Sequence, residues 1–118
     1  MSVPFSDEAV AGVAGDYGVP ERDLRRAAAK VQSTVADQPG RTVDGLIYEW
    51  RQAFADDPLV ERRPTEWVLC VPERVWTDVR SRANVRDVLE AALLELHRRG
   101  AGGGVDCEDG VVLVVGRV

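Results

Sequence analysis

Lysine, histidine, asparagine and isoleucine each occur once in the 118 residues (Lys30, His97, Asn84 and Ile47), and methionine is absent after the first position. Proton-transfer and nucleophilic chemistry need imidazoles, amines, thiols or activated hydroxyls set beside a partner, and this chain has few to offer. The serines at 2, 6, 33 and 81 lie in no strand-turn-helix setting of the kind that exposes a nucleophile. No Lys-Ser or Lys-Thr pair supports a phosphate loop, and the glycine run at 100–104 follows a helical pattern and precedes a strand, the reverse of the dinucleotide fingerprint. These features predict no enzyme, no cofactor and no small-molecule substrate. The longest apolar run, Val111 to Val115, falls far short of the ~20 residues that cross a bilayer. No membrane role is expected.

Cysteine is scarce too. Cys70 and Cys107 lie far apart, without the dense even spacing of small secreted scaffolds and without a recognisable leader, so both are expected as free thiols in a reducing cytoplasm. With His97 they could supply three zinc ligands, but no short paired spacing supports a metal site. Asp106, Glu108 and Asp109 before Gly110 do not match a calcium loop and are expected as a solvated turn. His97, beside Arg98 and Arg99, is expected as a helix-end cation or boundary residue.

What the chain does have is acid. Twenty Asp and Glu stand against 15 Lys and Arg, for a formal net charge of −5. An arginine-rich, lysine-poor, acid-faced composition fits the surface of a salt-loving archaeal protein. The net charge argues against a polyanion binder driven by its overall field, and at molar salt the Debye length of ~3 Å leaves only close contacts.

Helical periodicity is expected over about 7–16, with Ser6 as cap, then from Pro20 to about Asp37, then from a Thr42 cap through Val43, Leu46, Ile47, Trp50 and Phe54. Residues 56–65 read as a connector between a helical part (about 6–55) and a mixed part (about 66–118) of one α+β domain. Trp67 to Val71 reads as a strand. After it the apolar phase slips by roughly 120°, which predicts two helices, about 73–81 and 85–99, broken near 81–84 with Asn84 capping the second. Asp109-Gly110 signals a hairpin pairing Val105–Cys107 with Val111–Arg117, which would complete a three-stranded sheet. Val111 to Val115, apolar on both faces, suits a central strand, and the small sheet is expected to be covered by helices or by a second copy in a homodimer.

Two binding readings follow. Residues 10–31 resemble a helix-turn-helix, with Ala14 as the small contact residue, Gly18 as turn glycine, Val19 buried, and Leu24 and Ala28 on the core side. That resemblance implies a DNA-binding regulator whose Arg22, Arg25 and Arg26 meet phosphates or guanine edges, while Glu21 and Asp23 oppose phosphate at the helix start. The other reading is a small binding or assembly module acting on its own twin or another protein through Trp50, Trp67 or Trp76, since tryptophan anchors interfaces. In composition, and in its segments at 45–51 and 57–60, the chain resembles small uncharacterised proteins of haloarchaea. That resemblance implies no activity.

Overall fold

The computed structural model describes residues 3–37, 42–54, 56–105 and 107–117. Helix α1 (Asp7–Tyr17) starts where the Ser6 side chain accepts the Ala9 N–H at 3.1 Å, with Asp7 and Glu8 at its positive end. It stops at Gly18, whose φ of +64° is the left-handed conformation that glycine adopts without cost; Val19 N–H then donates to Ala14 O and Gly18 N–H to Gly15 O. Helix α2 (Glu21–Ala36) buries Leu24, Ala27, Ala28, Val31, Gln32 and Val35. Helix α3 (Val43–Ala53) is capped by Thr42, whose side chain accepts the Gly45 N–H at 3.0 Å. The end of α2 at Ala36 agrees with the expected limit near Asp37, and residues 38–41 that follow lie outside the described residues.

The connector holds a strand. β1 (Leu59–Arg62) pairs antiparallel with β2 (Glu66–Pro72), and β2 pairs antiparallel with β3 (Gly110–Gly116), in the order β1-β2-β3. The sheet therefore has three antiparallel strands in an α+β fold, but with a different third member. Val105 and Cys107 lie outside any strand, and Asp106 is outside the described residues. The partner of β3 is β2, with Leu69 opposite Leu113. Leu59–Arg62 escaped the periodicity because Glu61 and Arg62 are exposed and a register shift interrupts the pairing between Leu59 and Glu61.

Helix α4 (Glu73–Arg82) and helix α5 (Asp87–Ala101) confirm the break, though Asn84 acts differently than expected. Its φ of +55° places it just after α4 as a left-handed stop: Val85 N–H reaches Arg80 O and Asn84 N–H reaches Ser81 O. Helix α5 begins after Arg86, whose side chain makes no capping hydrogen bond among the described residues. The two apolar stripes then serve separate helices, Trp76 and Val79 on α4, and Leu89, Ala92, Leu93 and Leu96 on α5. Val88, grouped with the second stripe on phase alone, is exposed.

α5 and α2 pack along β3, α1 lies across α5 and α2, and α4 packs on β2. β3 is thus an edge strand, although its sequence reads as central. The reason is that side chains do the work of a fourth strand. Gln32 Nε2 donates to Val114 O at 2.8 Å, and its Oε1 accepts Gly116 N–H at 2.9 Å. His97 Nδ1 accepts Val114 N–H at 2.9 Å. An open apolar edge would invite pairing with another chain, and these contacts close it from within. At the other side β1 is short, irregular and charged, which also discourages pairing.

Arg63 ties the sheet to the end of α5. Its guanidinium donates to Gly100 O at 2.7 Å and Ala101 O at 2.6 Å, satisfying carbonyls that the helix leaves open, while Glu61 at 2.7 Å balances the charge. Among the described residues, no helix is long and apolar enough to cross a membrane.

Candidate interaction surface

The three tryptophans separate clearly. Trp67 is buried on β2: its indole N–H donates to Asp44 Oδ1 at 3.2 Å, which holds α3 to the sheet, and Arg117 and Arg62 lie over its ring at 4.7 and 5.6 Å. Trp76 is buried on α4 with its indole N–H on Glu90 Oε2 at 3.1 Å. Trp50 remains half-buried, stacked on Phe54 at 6.2 Å between centroids. It opens onto a cleft of about 320 Å³ between α3 and α4, floored by Val35, Leu46, Val75 and Val79. Arg74, Asp78 and Arg82 form the rim, with Arg74 also over the Phe54 ring at 5.5 Å and Arg82 paired to Asp78 at 3.3 Å.

The reactive groups lie elsewhere, and the structure corrects their expected states. His97 is fully buried rather than a helix-end cation, because α5 turns it inward between Phe5 (4.9 Å) and Trp76 (6.2 Å). Burial pushes its pKa down to about 3, so it is a neutral acceptor whose Nδ1 serves Val114. Its Nε2 is buried without a hydrogen-bond partner among the described residues. The sequence carried a hint, since position 97 continues the inner face of Leu93 and Leu96. Cys70 and Cys107 are not free thiols: they form a disulfide, their Cα atoms 5.7 Å apart. β2 brings Cys70 to the bend that leads into β3, a long-range proximity that no spacing rule reveals. Among the described residues no group of three His, Cys, Asp or Glu side chains converges on a point where a metal could sit. Asp56 and Asp57 flank the same region, and the Arg51 guanidinium, together with the Leu59 N–H, holds Asp57 below the usual carboxylate range.

The arginines of α2 also separate. Arg25 is held between Asp7 at 2.7 Å and Glu21 at 2.8 Å, whereas Arg22 and Arg26 are exposed with no ion-pair or aromatic partner among the described residues. Residues 10–31 fold as the end of α1, a turn at Gly18 and most of α2, with Ala14, Leu24 and Ala28 buried but Val19, expected inside, only half-buried.

A family model described as Domain of unknown function (DUF8048) matches residues 3–113. The chain belongs to this family. The matched span of DUF8048 runs from ahead of α1 into β3 and so includes every helix, the Trp50 cleft and both cysteines. No curated protein and no solved structure matches the chain.

Proposed function

We propose that this DUF8048 chain is a non-catalytic binding and assembly module that works through protein contacts, and that a second copy of the chain occupies its Trp50 cleft. The observation that carries the reading is Trp50 itself: of three tryptophans, two are locked inside with their indole N–H groups satisfied, and one lines an open apolar cleft. Large aromatic side chains at a cleft contribute much of the energy at protein contacts. A second copy suits the rim, which carries both charge signs on one lip, so that about a two-fold axis one Arg of each copy can meet the other copy's Asp78. Closure of the β3 edge by Gln32 and His97 directs association to the helices rather than to the sheet. A non-catalytic role is supported by the placement of the reactive groups, with the imidazole sealed and neutral and the thiols joined. The acidic, lysine-poor composition supports a salt-rich setting, and the disulfide points away from a strongly reducing one.

Sedimentation velocity over a concentration series tests this. The wild type is expected to form a dimer, and Trp50→Ala and Asp78→Arg to shift it to monomer while retaining the far-UV circular dichroism of the fold. Asp78→Arg leaves the core intact and makes the rim uniformly positive. A wild type that stays monomeric, or folded variants that associate equally well, would overturn the proposal.

A further inference from the structure

The described cations fall into three groups. Eight arginines sit in ion pairs: Arg25, Arg51, Arg63, Arg80, Arg82, Arg86, Arg98 and Arg99. Arg62, Arg74 and Arg117 lie over aromatic rings. The remaining three, Arg22, Arg26 and Lys30, are exposed and have no such partner among the described residues. All three are on α2 at four-residue intervals, so they form one winding stripe with a charge every ~6 Å of helix.

The acids beside the stripe are already engaged in ion pairs, with Arg25 serving both Asp7 and Glu21. Glu21 is taken up by Arg25 at 2.8 Å, and Asp23 by Arg86 at 3.0 Å. Arg86 comes from the α4–α5 turn and stands across a cleft of about 340 Å³ from Arg26 and Lys30, with Asn84 and Asp23 also on its wall. Among the described residues, the cations with neither an ion-pair nor an aromatic partner thus all lie on one face of a chain of net charge −5. Chance surface placement would scatter free cations among the acids or pair them with neighbours.

We propose that this face binds the sugar-phosphate backbone of duplex nucleic acid, with Arg22, Arg26 and Lys30 each meeting a phosphate along α2. A linear stripe of point charges fits a regularly spaced polyanion better than one compact anion at the cleft, which would engage only Arg26 and Lys30 of the stripe. Backbone contact carries no sequence information, and its affinity arises from releasing condensed counterions. Contact at this range is local, so the overall negative charge slows encounter without removing the contacts themselves. The α1–turn–α2 unit presents the stripe on the side away from buried Leu24, Ala28 and Val31. This inference stands apart from the Trp50 cleft, and neither depends on the other.

The test is fluorescence anisotropy of a labelled random-sequence DNA duplex across a salt series. Three phosphate contacts predict that log K falls by about 2.7 for each tenfold rise in salt, and that Arg22→Ala, Arg26→Ala or Lys30→Ala each lowers that slope by about 0.9. Arg51→Ala, which removes the same formal charge on α3, is expected to leave the slope unchanged. The three stripe side chains are exposed, so melting curves confirm that the variants remain folded. No duplex binding at low salt, a slope insensitive to the stripe, or an equal effect of Arg51→Ala would overturn the proposal. Binding of inorganic pyrophosphate at the cleft without duplex binding would also overturn it.

Discussion

Replacing Gln32 by Leu keeps its volume but removes two of the three side-chain hydrogen bonds that close the β3 edge. Val114 O and Gly116 N–H are then left without the amide that serves them at 2.8 and 2.9 Å. An unsatisfied buried polar group costs about 1–3 kcal/mol, and because Gly116 is only half-buried the two together cost roughly 2–5 kcal/mol. A domain of this size is stable by about 5–15 kcal/mol in all, so the loss is a large fraction of the total. Ordinary exposed substitutions shift stability by only about 0.5 kcal/mol, and this position differs from them because Gln32 is 4% exposed. Urea unfolding should show a lower midpoint at unchanged slope. Native-state hydrogen exchange localises the effect: the Gly116 amide, bonded directly to Gln32, should lose protection, while the Val114 amide, held by His97, should lose less. A loss under about 0.5 kcal/mol with Gly116 still protected would refute the idea that this side chain substitutes for a neighbouring strand.

Acid should destabilise the fold through His97. Above pH ~6.5 neither state binds the proton and the full stability is present; as pH falls the unfolded chain takes it up first, and stability declines until the folded pKa of about 3, by up to roughly 4–5 kcal/mol. His97→Gln should flatten that limb in urea titrations at several pH values, and identical limbs would refute the assignment. Breaking the Cys70–Cys107 bond opens a loop whose ends are 37 residues apart, so Cys70→Ser with Cys107→Ser should lose about 2–4 kcal/mol, and reductant should then have no further effect on the melting temperature. Arg63→Leu should cost about 1–3 kcal/mol by stripping two carbonyls at the end of α5, and Arg63→Lys should recover only part, because an ammonium lacks the fork that reaches both.

Local patterns carried most of the helices. Ser6 and Thr42 cap where a side-chain oxygen precedes an apolar stripe, Gly18 stops α1, and the phase slip between Val79 and Val88 placed the break between α4 and α5 within a few residues. The sheet was harder to read because its partners are set by tertiary contacts. Val111 to Val115 has the composition of a central strand, and its position at the edge depends on Gln32, more than 80 residues away, which looks like any polar residue on an amphipathic helix. β1 hid for the opposite reason, since an edge strand with exposed Glu61 and Arg62 reads as a loop. Among the candidate interface residues, composition named three tryptophans without ranking them, and burial singled out Trp50. On α2 the arginines looked equivalent until Asp7, beyond the α2 turn in sequence, was seen to occupy Arg25.

Hydrogen–deuterium exchange at low and high protein concentration tests the central claim most directly, because it reports where copies meet as well as whether they do. Amides of α3 and α4 around Trp50 and Val79 should gain protection as concentration rises, with those of β1 unchanged. Protection that is independent of concentration, or that grows along β1 instead, would contradict the account.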